Sequence, residues 1–563
     1  MLSSRIFFRA NYSQTNNSMD KFLAWLEKII NRLPGPGKMI YGGLTQDRDA
    51  LRALIACMAA IFAGALQPPV LSLYVADVQQ GLRDPGSGVP IQVAAAYLLL
   101  AVLTLVGGAS GDIFGRKRFM MFGLTGVLAT NVLGMFFMNA EYYNLINAFN
   151  SISNMLIMPM AIAIVTLAFP LQVRPFAYGA VFACQSIGLV AASSVYGILA
   201  ETNYVWFAFV PAILLCVVAM RLVARDTRES RAPRAVSIQE LILNLVWASA
   251  IFGLVYGLLA FGKGPTSFNM FVIVAICLLG FVIGYRWIVK RMRKTEAKLY
   301  NVRDLSFAIF AGIMLSLAQG AMFYQLGAFF QKIQSIGPVM SGLGYLPFIL
   351  SMMIATLFIV RLSMYFGARR IISGGLVLMG IGLVSMFFVQ ATTPYWQFIL
   401  PLLFVGFGLG IAAPARTTVV LTISPPGLTG MAAGVNTAAG QSGFAAGTIL
   451  SSVLVTFFAD RAFVAQLTQI NAPPEVIQAA NKLFQETFAR AISGNLTRLP
   501  DELAKQIAIG FGDAFAQGMA MAFVVIGILM FLSAAAIFLG MNKGLKATFI
   551  SQPLKHAEKT NDA

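Results

Sequence analysis

Uncharged apolar stretches of about 20 residues, the length needed to cross a hydrocarbon layer of roughly 30 Å, recur in this chain from about residue 50 to residue 541. That recurrence constrains the fold more than any other feature, because a water-soluble surface cannot be built from such segments. Only 11% of the 563 residues are charged and 58% are hydrophobic, where a soluble domain carries roughly 25% charged residues. The bilayer is therefore the solvent for nearly all of the chain, and each stretch reads as a transmembrane helix.

Spans are expected near 50–77, 91–110, 119–139, 143–169, 177–200, 204–222, 239–260, 268–288, 305–330, 341–362, 371–390, 395–414, 429–458 and 515–541, about fourteen in all. An even count puts both termini on one side, and the basic residues test that independently. Of the 40 Lys and Arg residues, 32 fall in the two tails, at span feet and in the loops of one face, and 8 fall on the other. Five of those 8 lie in one long loop, from about 460 to 512, and long loops translocate largely regardless of charge. Both termini are thus predicted to be cytoplasmic, in a multi-pass protein of the inner or plasma membrane. The net charge of +18 is a topology signal and does not point to nucleic acid.

Cys57, Cys184, Cys216 and Cys277 lie in apolar spans without CxxC or paired spacing, so neither a disulfide framework nor a metal site is indicated. The one histidine, His556, is in the polar C-terminal tail, which removes histidine acid–base chemistry from the membrane. No G-x-x-x-x-G-K-[ST] pattern is present, and no enzyme activity, cofactor or metal is expected. Ahead of the first span, Phe22, Leu23, Leu26, Ile29, Ile30 and Leu33 recur at helical spacing opposite Lys21, Lys28 and Arg32, the pattern of an interfacial amphipathic helix.

Two segments repeat. Phe114-Gly115-Arg116-Lys117-Arg118 and Phe366-Gly367-Ala368-Arg369-Arg370 are offset by 252 positions, each joining one span to the next through a glycine and a basic cluster. Internal repeats of this sort mark transporters built from two similar halves with a substrate site between them near the midplane. The stretch Gly108-Ala109-Ser110-Gly111-Asp112-Ile113-Phe114-Gly115-Arg116-Lys117-Arg118 is similar to the G-x-x-x-D-[RK]-x-G-[RK]-[RK] motif between helices 2 and 3 of the major facilitator superfamily. Similar residues recur at Met158-Pro159, Phe169-Pro170, Pro211, Gly406–Gly410 with Pro414, and Gly434-Val435-Asn436-Thr437. The chain resembles the fourteen-helix branch of that family, the drug:proton antiporters, over roughly residues 50 to 545.

The resemblance implies an all-α major facilitator fold. A cytoplasmic tail (1–48) would precede a six-helix bundle (49–222), two linker helices (223–303), a second six-helix bundle (304–545) that includes the loop 460–512, and a tail (546–563). It implies a conformational latch at Gly108, Gly111, Asp112, Gly115, Arg116, Lys117 and Arg118, with Asp112 capping a helix N-terminus or pairing with a basic residue. Met364 stands where a second Asp would be, which disfavours a matching latch in the second half.

Where the family commonly has an acid in helix 1, an arginine in helix 4 and a Gly-Pro pair in helix 5, this chain has Gln67 with Pro68 and Pro69, Asn147, and Ala192-Ser193. Asp77 is the remaining candidate proton carrier within the spans; Arg416 is placed just after helix 12. Neutral hydrogen-bonding groups stud the cavity-lining helices instead. Asn147, Asn150, Ser151 and Asn154 share one face of helix 4, and Gln67, Gln185, Gln319, Tyr324, Gln325, Asn436 and Gln441 lie on others. Such a cavity suits an uncharged or weakly amphipathic ligand, since a dicarboxylate or sugar phosphate calls for buried Arg or Lys.

The function expected is secondary active export of hydrophobic or amphipathic small molecules by alternating access. The missing coupling residues motivate the alternative of an uncoupled facilitator, a lipid translocator or a non-transporting scaffold or sensor of the same fold. Expected partners are the bilayer, a small-molecule substrate and H+ as a candidate coupling ion, with no nucleic acid and a monomeric state.

Overall fold

The computed structural model describes residues 48–81, isolated positions between 97 and 104, and 107–136, 140–171, 173–200, 207, 209–231, 302–424, 429–469 and 501–542, apart from occasional single positions. The first half comprises α1 (Arg48–Gly81), α2 (residues 107–114), α3 (Arg116–Phe136), α4 (Ala140–Ala168), α5 (Arg174–Ala200) and α6 (Phe209–Asp226). The second comprises α7 (Val302–Ala328), which runs into a π-turn at Phe329–Ile333, then α8 (Pro338–Leu343), α9 (Leu346–Ser385), α10 (Trp396–Ile423), α11 (Thr429–Gln469) and α12 (Asp501–Gly540). No strand occurs among the described residues. The predicted linker spans near 239–260 and 268–288, the amphipathic helix and the C-terminal tail lie outside them.

Eight helices among the described residues are long and apolar enough to cross a bilayer. The longest runs from Val339 to Phe388, 50 residues, and at 1.5 Å per residue would reach about 75 Å, more than twice a hydrocarbon core. It cannot be one crossing. Gly367, at φ 75° and ψ 160°, breaks α9 into two limbs, matching the two spans expected near 341–362 and 371–390.

Several span limits drawn from hydropathy are too short. The twelfth, expected at 395–414, is α10 and continues to Ile423; the thirteenth continues to Gln469, and the fourteenth begins at Asp501. The predicted loop 460–512 is therefore helical at both ends. Its centre, with Val476 to Phe488, lies outside the described residues. A charged residue closes a hydropathy window without interrupting the i to i−4 hydrogen bonds, so helices outrun the hydrocarbon.

Within the first half, α1 packs on α4, α5 and α6, and α3 on α4 and α6; within the second, α7 packs on α11, and α9 on α10 and α12. In each half an acid at the foot of the first helix bonds to a residue just past the last, the first pair on the surface and the second with a buried acid. Asp49 accepts a hydrogen bond from Arg228 Nη2 at 2.7 Å, just past α6. Asp304 accepts from the Asn542 backbone N–H at 2.8 Å and from its Nδ2 at 3.3 Å, just past α12. Large apolar side chains such as Phe122, Leu214, Leu350 and Leu532 point outward and exposed, a surface that lipid covers and water would not tolerate.

The halves meet along two seams. On one, α5 lies against α8, α9 and α10. On the other, α11 meets α4 and the segment ending in α2. Tyr97 packs on Phe444 in a tilted arrangement, with ring centroids 4.3 Å apart. A Cβ at Gly108 would fall 2.5 Å from the Gly430 carbonyl and 2.9 Å from Gly434 Cα, so the backbones touch there because neither helix has a side chain to separate them.

Candidate functional site

The repeated turn of the first half is built around an ion pair out of reach of water. Asp112, at the end of α2, is 0% exposed and Arg116, in the first turn of α3, is 3% exposed. Gly115 between them has φ +115°, a backbone that a side chain resists, and it turns α2 into α3 so that Arg116 folds back. Arg116 Nε and Nη2 donate to Asp112 Oδ1 at 2.9 and 2.7 Å. The same carboxylate reaches the other half: Oδ1 accepts from the Gly430 N–H and Oδ2 from the Met431 N–H, both at 2.9 Å. Gly430 and Met431 lie in the first turn of α11, where backbone donors lack intrahelical partners and the helix dipole favours an anion. All four hydrogen bonds run toward the carboxyl oxygens, the complement of an ionised group. Helix capping and basic pairing, the two roles open to Asp112 from sequence, are thus both filled.

The remaining basic residues of the motif stay in their own half. Lys117 Nζ donates to the carbonyls of Ala224 and Thr227, at 2.6 and 2.8 Å, at the C-terminus of α6. Arg118 Nε stands 3.7 Å from Glu229 Oε2, and Arg116 Nη1 donates to Ser230 Oγ at 3.2 Å. Among the basic residues, then, only Arg116 contributes to closure between halves, through Asp112. Gly111 makes room for Met160 of α4 and belongs to the packing of the first half.

The second-half turn repeats this scaffold without the clasp. Gly115 and Gly367, 252 positions apart, are the two glycines with positive φ among the described residues. Arg369, at the position equivalent to Lys117, donates to the Met541 carbonyl at 3.4 Å beyond α12 and stacks 4.5 Å over the Phe538 ring. Met364 occupies the place of Asp112 and packs against the apolar core.

The predicted cavity residues separate into groups. The backbones of Gln67, Asp77 and Asn147 lie in α1 and α4, but their side chains, and that of Ser151, are outside the described residues. Asn150 is 1% exposed; its Oδ1 accepts from Asn154 Nδ2 at 3.0 Å and lies 3.5 Å from Thr130 Oγ1 of α3. Asn154 lies against Gly64 of α1. Gln325 is buried and donates to Ser451 and Ser452 of α11 at 3.1 and 3.2 Å. Asn150 and Gln325 therefore join neighbouring helices of one half. Gln185, Gln319, Tyr324 and Gln441 are half-buried, with surface left for a ligand.

Asn436 is fully buried, and its partner is the residue that sequence reasoning misplaced. Arg416 does not follow the twelfth span; it sits inside α10, 4% exposed. Its Nη1 donates to Asn436 Oδ1 at 2.9 Å and to the Asn436 carbonyl at 3.4 Å. Asn436 Nδ2 in turn donates to Thr417 Oγ1 at 3.2 Å. The premise of a cavity without a buried cation therefore fails. The hydroxyls beside the arginine, Thr417 and Thr418, donate to the carbonyls of Ala413 and Pro414 at 2.9 and 2.8 Å, which lets a polar run remain helical.

A family model described as the Major Facilitator Superfamily matches residues 52–346 and 305–467. A tetracenomycin C resistance and export protein of Streptomyces glaucescens is 24% identical, covering 86% of this chain and 90% of its own length. A puromycin resistance protein of Streptomyces alboniger is 26% identical over 72% and 81%, and a multidrug efflux pump of Mycolicibacterium smegmatis 23% identical over 84% and 92%. Among solved structures, that of a human organic anion transporter superposes with a TM-score of 0.54 at 13% identity, over 86% of this chain and 99% of the other, a likeness of fold alone.

Proposed function

The chain belongs to the Major Facilitator Superfamily, and from that premise we propose that it is a secondary active transporter that exports amphipathic small molecules by alternating access. It is a multi-pass membrane protein, and relatives across most of its length are named for resistance and efflux. The observation that carries the mechanism is the contact of Asp112 with two N–H groups in the first turn of a helix from the opposite half.

A buried contact between halves has to be broken for the solute path to open on that side. Separating it leaves Asp112 beside Arg116, still paired within its own half, while water solvates the N-terminus of α11. The clasp can therefore open without isolating a charge in the membrane, as a repeatedly opening gate requires. In this reading the basic face is cytoplasmic, both termini lie there, and the structure has its cytoplasmic gate closed. The two halves rock as rigid units of a monomer of about fourteen helices. Lys117, Arg118 and Arg369 keep each half rigid, and Gln185, Gln319, Tyr324 and Gln441 contact the solute. Asp77 is the group proposed to carry a proton, since export against a gradient needs a side chain that changes charge in the membrane.

The test is movement of a fluorescent amphiphile in proteoliposomes, with and without an imposed pH gradient. Gradient-driven accumulation that Asp77→Asn abolishes supports coupled export through Asp77. Movement that ignores the gradient replaces it with facilitated diffusion, and no movement of any of a broad set of amphiphiles removes the transport reading.

A further inference from the structure

Four charged side chains are buried among the described residues: Asp112, Arg116, Asp304 and Arg416. The first two pair with each other, and Asp304 is held by Asn542. Arg416 differs, because no carboxylate pairs with it among the described residues and its Nε, shut off from solvent, has no hydrogen-bond partner. A guanidinium has five N–H donors, and the two hydrogen bonds found here both leave from Nη1 toward Asn436. Burying such a charge without a counterion costs several kcal/mol, a cost that persists in a fold only where something offsets it.

The surroundings hold the group in place. A Cβ at Gly312 of α7 would fall 2.6 Å from Arg416 Cζ, so the guanidinium packs directly against the backbone of α7 at a glycine. A Cβ at Gly440 of α11 would stand 3.4 Å from Ser316 Oγ and 3.5 Å from Arg416 Nη2. By helical spacing Gly312, Ser316 and Gln319 share one face of α7, and Ser316 and Gln319 are half-buried there. Asn436 lies a turn and a half along α11 from Gly430, about 9 Å. Arg416 is thus carried just inward of the Asp112 clasp, on the floor of the closed gate.

We propose that Arg416 is an anion-recognition point, and that the transporter takes amphiphiles carrying a single carboxylate, whose oxygens complete the hydrogen bonding of this guanidinium. Planar, bidentate recognition of a carboxylate is the interaction for which arginine is best suited. Asn436 is the positioning residue: its side-chain oxygen holds Nη1 and its amide is fixed by Thr417, which leaves Nη2, beside Gly440, and Nε as the remaining donors. The proposal rests on the efflux reading above and narrows its substrate class.

Equilibrium binding of labelled decanoic acid and of its methyl ester is measured with the full chain in nanodiscs, at about pH 8, where the acid is ionised. The readout is the ratio of acid to ester affinity, compared between proteins so that partition into lipid cancels. The ratio is expected to fall by about 10-fold in Arg416→Gln, the loss of one charge-assisted contact, and to survive in part in Arg416→Lys. Asn436→Asp, nearly the same shape, supplies an internal counterion and should lower the ratio as far as Arg416→Gln does. Should Arg416→Gln fail to fold, Asn436→Asp alone decides. An unchanged ratio in Asn436→Asp overturns the proposal. Because binding is read without transport, an Arg416-dependent ratio in a protein that moves no dye would sink the efflux reading and keep the site. Dye transport with a uniform ratio would do the reverse.

Discussion

The turn at residues 111–118 and the turn at residues 363–370 are the same structure put to different uses. Both reverse direction at a glycine with positive φ, and both send a basic side chain to the end of the sixth helix of their own half. Only the first carries an acid, and only that acid crosses to the other half. A turn that merely closes a bundle needs glycine and a cation. A turn that also fastens one bundle to the other needs a buried carboxylate facing an open helix N-terminus, and Met364 cannot provide that.

The largest expected effect comes from removing what the turns do not share. Asp112→Leu leaves Arg116 buried and the α11 N-terminus uncapped, at a cost of about 3–5 kcal/mol to the closed gate. Transport should fall by more than about 10-fold, and spin labels flanking α2 and α11 should report longer distances. Gly108→Val drives a side chain into the Gly430 carbonyl; overpacking of this kind costs about 1–3 kcal/mol and should slow transport without displacing Arg116. Arg116→Lys keeps one contact with Asp112 and gives up the fork and the Ser230 bond, for a loss of about 1–2 kcal/mol in thermal unfolding. The smallest effects belong to the shared part. Lys117→Met and Arg369→Met should each lower stability by about 1 kcal/mol, similarly in the two halves, with transport changed only a few-fold. A loss of transport in Arg369→Met as deep as in Asp112→Leu would break the comparison, since it would give the second turn a gating role.

Much of this was legible in the chain. The bilayer imposes a length and a hydropathy on every crossing, so spans show without knowledge of contacts, and the 252-residue repeat located both positive-φ turns because glycine there is a backbone requirement. What was not legible depended on partners. Helical spacing placed Asn150 and Asn154 on one face of α4, but it could not say that Thr130 of α3 and Gly64 of α1 would meet them. Asn436 was identified as polar and inward without any sign that it would orient a cation. Arg416 was misplaced because a hydropathy window stops at the first charge, while α10 continues through it with its threonines bonded to the preceding turn. The neutral character expected of the cavity was inferred from an absence of charge in the spans, and α10 carries a buried guanidinium.

The bonds from Asp49 to Arg228 and from Asp304 to Asn542 bear on how the protein comes into being. Each ties the beginning of a half to its end, so the partners that join the first bundle to itself, Ser230 being the last, are in place before any of the second exists. Domains that emerge first fold first, and here the early product already has its two ends in contact, leaving the faces of α2, α4 and α5 as the template on which the later half assembles. Expressed as two separate polypeptides divided between residues 231 and 302, the halves should still find each other in one membrane and copurify; failure to copurify would mean that the connecting segment takes part in assembly.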